Sequence, residues 1–255
     1  MNTENSSLRE VVRFADIEAL SRDGAYRVCA LAACSARAKR PFTVALTGGS
    51  SPGTLYRLLS KPPLRETIDW DNTHLFFGDE RCVPPDAAES NYRQAREMLI
   101  DRAPISTANV HRMRGELPDH EQAARDYEAE LIAFFNLQPG QPPRFDLVLL
   151  GMGPDGHCAS LFPYKPALQE RQRLVVATEP GLTPFVPRIT LTLPVLNRAA
   201  EVMFLVPDGA KAGILARILE GPDDPDELPS QNVRPSAGTV TWLITNAAAA
   251  QLMRV

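Results

Sequence analysis

Short apolar runs rich in β-branched residues alternate with amphipathic stretches along the chain. The apolar runs predict strands at 10–14, 42–46, 74–77, 145–150, 174–177, 189–193, 202–206 and 240–244. The run at 145–150 (Phe-Asp-Leu-Val-Leu-Leu) is nearly all apolar, as a strand buried on both faces of a parallel sheet should be. Between the strands, the spacing predicts helices from Asp16 to about Lys39 and at 55–59, 91–100, 119–136, 209–219 and 247–253. Asp16 and Ser90 stand where helix N-caps belong. Tyr127, Leu131, Phe134 and Phe135 mark the apolar stripe of the 119–136 helix. Residues 221–235, rich in Pro and Asp, read as a surface loop. This alternation, with no internal repeat and no long linker, predicts an α/β fold: a mostly parallel sheet with helices on both faces.

In such sheets ligands bind beyond the carboxyl ends of the strands. The chemistry-bearing segments follow Leu46, Phe77 and Leu150. After Leu46 comes Thr47-Gly48-Gly49-Ser50-Ser51-Pro52-Gly53-Thr54. Glycines there let backbone N–H groups approach a phosphate, and the N-terminus of the next helix favours negative charge. Thr54 occupies the position where a triphosphate-binding Walker A loop requires Lys, so a phosphate monoester is the better ligand. The same loop imitates a serine-hydrolase elbow as Gly49-Ser50-Ser51-Pro52-Gly53. Pro52 has no N–H to offer an oxyanion, and no His follows His157, so a serine nucleophile is rejected.

After Leu150, Gly151-Met152-Gly153-Pro154-Asp155-Gly156 matches the dinucleotide pattern. That fingerprint must open a long helix, and Pro154 and Pro163 leave room only for a short helical stretch at 157–162. What remains is Asp155-Gly156-His157, a carboxylate and an imidazole presented together at a strand end. After Phe77, Asp79-Glu80-Arg81 is either a solvated turn or part of a site; Arg81 offers a planar donor fork to a phosphate or carbonyl oxygen. Arg188 and Lys211 are further cation candidates. A cation in a helix's first turn is unfavourable, so Lys211 is expected to meet an anion.

Composition narrows the partners. A chain of 255 residues, 44% of them hydrophobic, can bury a large core. Its net charge of -4 gives no general attraction to nucleic acid or an anionic membrane, so local groups must hold any anionic ligand. Cys29, Cys34, Cys82 and Cys158 form no Cys-x-x-Cys pair and fit reduced thiols in the cytoplasm. Cys158 adjoins His157 in sequence but is poorly placed to exchange a proton with it, and is expected to be a small buried residue. His74, His111, His120 and His157 show no metal-ligand spacing, so no metal is expected. Residues 1–9 lack the apolar run of a signal peptide, and no apolar run reaches the roughly 20 residues of a membrane span.

Together these residues resemble the 6-phosphogluconolactonases. The matching stretches are Gly48-Gly49-Ser50-Ser51-Pro52, Asp79-Glu80-Arg81 with Ser90-Asn91-Tyr92, and the run from Gly151 through Asp155-Gly156-His157-Cys158-Ala159-Ser160-Leu161-Phe162-Pro163. Arg188-Ile189-Thr190, Gly209 to Ala212 around Lys211, and the 235–250 segment with Trp242 complete the match. Cys158 stands where Thr is commoner, and Asn246 where Asp is usual. The resemblance implies a single domain over residues 1–255, with a Rossmann-like α/β sheet shared with glucosamine-6-phosphate deaminase. It implies a cofactor-free enzyme that opens 6-phospho-D-glucono-1,5-lactone to 6-phosphogluconate in the oxidative pentose phosphate pathway. His157 would be the general base with Asp155 orienting it, and Arg81 a substrate or oxyanion contact. Gly48, Gly49, Ser50, Ser51, Arg188 and Lys211 would hold the phosphate, with Asp79 beside them. The expected partner is a small sugar phosphate lactone, without nucleic acid or membrane, for a cytoplasmic monomer or small homo-oligomer.

Two other functions share this fold. The deaminases normally carry Tyr where Arg81 stands and, after the His loop, a ring-opening Glu where Phe162 stands. A sugar-phosphate sensor would usually add a DNA-binding module. The segment before the first glycine loop holds one strand and one helix, with no helix-turn-helix pair.

Overall fold

The computed structural model describes residues 8–254; the polar segment 1–7, on which most of the expectation of no signal peptide rests, lies outside them. The strands are β1 (Leu8–Phe14), β2 (Phe42–Leu46), β3 (Thr73–Phe77), β4 (Asp79–Arg81), β5 (Leu147–Leu150), β6 (Val175–Thr178), β7 (Arg188–Leu191), β8 (Glu201–Val206) and β9 (Thr239–Thr245). The helices are α1 (Ile17–Arg37), α2 (Gly53–Leu59), α3 (Asn91–Met98), α4 (His120–Phe135), α5 (Pro166–Gln169), α6 (Leu193–Leu196) and α7 (Ala212–Glu220).

Six strands form one parallel sheet in the order β1-β9-β8-β5-β2-β3. Successive side chains on a strand face opposite ways, and β5 shows the consequence. Leu147 and Leu149 join the core beneath α1, α2 and α3, whereas Val148 and Leu150 join the core beneath α4 and α7. An all-apolar strand therefore has both faces covered, as its composition requires. The helix caps follow the sequence: Asp16 accepts from the Ala19 N–H, Ser90 from Arg93 and Asp119 from Gln122.

The structure corrects the expected assignment in five places. The 174–177 and 189–193 strands do not extend the parallel sheet. With β4 they form a separate antiparallel sheet, β4-β7-β6, packed on the α4 side. Period-two patterning identifies a strand but says nothing of its partner. Asp79-Glu80-Arg81 is thus a strand, not a turn, and the chain leaves the main sheet at Gly78, whose N–H bonds the Leu46 carbonyl. Residues 157–162 are not helical. Ala159 has a φ of 48°, and an isolated bridge joins Cys158 to Leu161. Residues 247–253 form successive turns rather than a helix. The 209–219 helix opens as a 3-10 turn, Gly209–Lys211, before α7 begins.

Candidate active site

Strands β2 and β5 are neighbours, but β2 is followed in the sheet by β3 on one side and β5 by β8 on the other. Their carboxyl ends therefore diverge into a crevice, the usual ligand position in open parallel sheets. A cleft of about 400 Å³ lies there. One rim is the glycine loop after β2; the other is the bend after β5.

The β5 bend is shaped by two glycines with different tasks. Gly156 has a φ of 82°, which glycine adopts without strain. Gly153 leaves room for the catalytic candidate: a Cβ there would lie 2.0 Å from His157 Nδ1. The bend is closed by the Gly153 N–H bonding the His157 carbonyl at 2.8 Å, and anchored by Ser230, which bonds the Gly156 carbonyl through both its N–H and its hydroxyl. His157 Nδ1 lies 2.5 Å from Asp155 Oδ1. An ionised carboxylate can only accept, so Nδ1 carries the proton and Nε2 presents a lone pair. Burial raises the Asp155 carboxyl pKa, but the hydrogen bond and charge of His157 outweigh it and hold the group below its ordinary value.

The cations converge from elsewhere. In the second sheet Arg81 and Arg188 are register partners, and Lys211 arrives from the 3-10 turn before α7. All three line the cleft. Arg188 is almost wholly buried and donates to the carbonyls of Leu182, Pro184 and Val186. Arg81 Nη1 donates to the Glu89 carbonyl, and its Nε is buried without a partner. Lys211 Nζ donates to the Met152 carbonyl at 2.6 Å. Among the described residues none of the three has a carboxylate within salt-bridge distance. Burial pulls the Arg188 and Lys211 pKa values below their ordinary values; Asp79 opposes this for Arg188 and Asp208 for Lys211.

Of the residues singled out from sequence, Gly48, Gly49, Ser50, Ser51, Asp79, Arg81, His157, Arg188 and Lys211 all line one cleft. Asp155 stands behind His157 instead, as the partner of its ring. Arg188 is buried, not a solvated surface charge. The α2 helix behind the glycine loop has only seven residues.

Three neighbours make contacts that the sequence does not reveal. Ser160 Oγ donates to Asp79 Oδ2 at 2.6 Å, and Asn91 Nδ2 to Asp79 Oδ1 at 3.0 Å, so both oxygens of that carboxylate are engaged. Phe162 packs 4.5 Å from the His157 ring, with the Arg188 guanidinium 5.8 Å from its centroid. All three lie within stretches that carried the resemblance, but their tasks depend on contacts distant in sequence. Cys158 is buried, its thiol pushed up to about 12 by burial, and is no nucleophile. Among the described residues no group of three or more His, Cys, Asp or Glu side chains could hold a metal, and no helix is long and apolar enough to cross a membrane.

Known proteins resemble this chain in sequence and in fold. A 6-phosphogluconolactonase from Synechocystis is 42% identical over 211 residues, 82% of this chain and 84% of that protein. The solved structure of Trypanosoma brucei 6-phosphogluconolactonase superposes with a TM-score of 0.86 at 28% identity, covering 97% of this chain and 100% of that one. A monomeric glucosamine-6-phosphate deaminase has a TM-score of 0.78 over 94% of this chain and 99% of its own; at 20% identity it shows the shared fold alone. Residues 15–242 match the family described as glucosamine-6-phosphate isomerases/6-phosphogluconolactonase, and the chain belongs to that family.

Proposed function

We propose that this chain hydrolyses 6-phospho-D-glucono-1,5-lactone to 6-phosphogluconate, the activity for which its relatives are named. The observation that carries the mechanism is the His157–Asp155 pair, set in a cleft whose cations lack carboxylate partners among the described residues. His157 Nε2 takes a proton from water as the oxygen attacks the lactone carbonyl, a general-base step worth about 10²–10⁴-fold. Asp155 fixes the tautomer and balances the imidazolium that forms. Arg81 faces the developing oxyanion, where a preorganised donor acts most strongly. The imidazolium then returns its proton to the ring oxygen as the C–O bond breaks, giving the open acid. The glycine loop, Arg188 and Lys211 hold the phosphate, which turns the attack on the carbonyl into an oriented, near-unimolecular event.

Phe162 bears on the deaminase alternative. The ring beside His157 is apolar and buried, so no proton-handling group stands there to open a sugar ring. Four free cysteines support work in the cytoplasm. The test is lactone disappearance, followed fast enough to outrun spontaneous hydrolysis. His157→Ala is expected to lose about 10²-fold or more in kcat while still binding phosphogluconate. Near-normal turnover in that variant removes His157 from the mechanism. Ammonia release from glucosamine 6-phosphate by the wild type would replace the lactonase reading.

A further inference from the structure

The glycine loop is held from outside. Gly49 has a φ of 82°, and its carbonyl accepts from Gln94 Nε2 at 2.6 Å, across forty-five positions of sequence. One helical turn earlier on α3, Asn91 meets the preceding glycine: a Cβ on Gly48 would fall 1.8 Å from Asn91 Oδ1. Positions 91 and 94 share a helix face, so α3 presents two amides to the loop together. The orientation of the Asn91 amide is fixed by Nδ2, which donates to the Asp79 carbonyl at 2.9 Å and to Asp79 Oδ1 at 3.0 Å. Oδ1 is left against Gly48, buried and without a hydrogen-bond donor. The helix is itself fixed by Glu80, whose buried carboxylate accepts from the Asn91 and Tyr92 N–H groups and from Ser90 Oγ.

This arrangement bears on anion binding through the planarity of the peptide. A trans peptide points its carbonyl and its N–H in opposite directions. Holding the Gly49 carbonyl on α3 therefore holds the Ser50 N–H on the other side, and Ser50 lines the cleft. Among the described residues that N–H has no acceptor. Turning this peptide over rotates ψ of Gly49 and φ of Ser50, and Gly49, lacking a Cβ, offers little steric resistance to its share of that rotation. We propose that Gln94, backed by Asn91 against Gly48, is a positioning residue that keeps the Gly49–Ser50 peptide turned so that the Ser50 N–H meets the substrate phosphate. This rests on the reading that the glycine loop receives that phosphate.

Gln94→Met keeps the length and bulk of the side chain and removes the donor. Steady-state rates are measured with 6-phosphogluconolactone and with unphosphorylated glucono-1,5-lactone, and calorimetry compares 6-phosphogluconate with gluconate. The variant is expected to raise KM for the phosphorylated lactone about fivefold to tenfold, the worth of one hydrogen bond, and to weaken phosphogluconate binding equally. Its kcat and its rate on the unphosphorylated lactone stay within about twofold, because the base and the carbonyl contacts are untouched. In the wild type the Ser50 amide resonance shifts saturably with inorganic phosphate, and in the variant that shift is lost. Equal wild-type affinity for phosphogluconate and gluconate overturns the reading of the loop, and the proposal with it. Wild-type discrimination that Gln94→Met retains overturns the positioning role alone. Parallel losses on both lactones, or a fall in kcat, mark a merely structural contact and also overturn it.

Discussion

Substituting Gly153 by Ala tests the proposed base without removing any of its atoms. The added methyl would lie 2.0 Å from His157 Nδ1, 2.1 Å from its Cε1 and 2.7 Å from Asp155 Oδ1. Ordinary contacts of this kind are about 3.5 Å, so the ring must retreat by about 1.5 Å, and the methyl wedges it from its carboxylate. Displacing a reacting group by about 1 Å can cost about 10²-fold in rate. Gly153→Ala is therefore expected to reduce kcat by 10²-fold or more, approaching the loss in His157→Ala. The stability cost is smaller: overpacking costs about 1–3 kcal/mol, and the reduced freedom of the unfolded chain returns about 0.4–1 kcal/mol. At about 2–4 °C per kcal/mol for a chain of this size, the melting temperature falls by at most about 10 °C. Gly151→Ala provides the stability control, because a Cβ there meets nothing within 4 Å. The assays are lactone turnover, calorimetric binding of phosphogluconate and thermal melts. A folded Gly153→Ala enzyme with wild-type kcat refutes the claim that His157 works from the position described.

Two further outcomes follow from groups outside the cleft. On β3, His74 Nδ1 lies 3.1 Å from His111 Nε2, and His111 Nδ1 lies 2.6 Å from Glu130 Oε1; burial and then the charge of His111 lower the His74 pKa. The unfolded chain thus takes up more protons than the fold once pH drops below about 6.5, so the His74 contribution is fully present above that pH and lost as pH falls toward its depressed folded value. Urea unfolding of wild type and His74→Gln at pH 7.5 and 5.5 should show a flatter pH dependence in the variant; equal slopes contradict the assignment. Burial pushes Cys82 and Cys158 up to about 12, whereas Cys34 is exposed. Iodoacetamide at pH 8 should label Cys34 first and leave turnover intact, and inactivation in step with Cys158 labelling would contradict this.

The parallel sheet was legible because each of its strands carries its own evidence. The all-apolar β5 needs two covered faces, and Asp16, Ser90 and Asp119 cap their helices through contacts within a single turn. The second sheet was not legible, because β4 has three residues, all of them charged, and pairs with a strand more than a hundred positions away. Residues 247–253 have helical composition, yet Thr245 ends β9 and the first turn after it closes on its carbonyl and hydroxyl. The glycine loop and His157 stood out at strand ends from their chemistry, whereas Asp79-Glu80-Arg81 stayed open between a turn and a site and took a role only from the resemblance. Gln94 was not, since one amide on a polar helix face looks like any solvated side chain until its carbonyl partner is known.

The manner in which the cations are held explains why they suit an anion. Arg81 and Arg188 sit directly across from one another in β4 and β7, an arrangement that like charges ordinarily disfavour. A carboxylate between them would relieve the repulsion and also neutralise the cleft. Asp79 acts on Arg188 through space but has both oxygens occupied by Ser160 and Asn91 and forms no ion pair with either arginine. The two guanidiniums and the Lys211 ammonium are instead fixed by backbone carbonyls: Glu89 for Arg81; Leu182, Pro184 and Val186 for Arg188; Met152 for Lys211. A carbonyl dipole orients a cation and partly solvates it but leaves its net charge in place. The positive field is thus set before substrate arrives, and a phosphate entering the cleft completes the charge balance instead of displacing an internal partner. Substituting Thr183, on the cleft wall, by Asp would supply the missing counter-charge, and competition with phosphate should then raise KM far more than it lowers kcat.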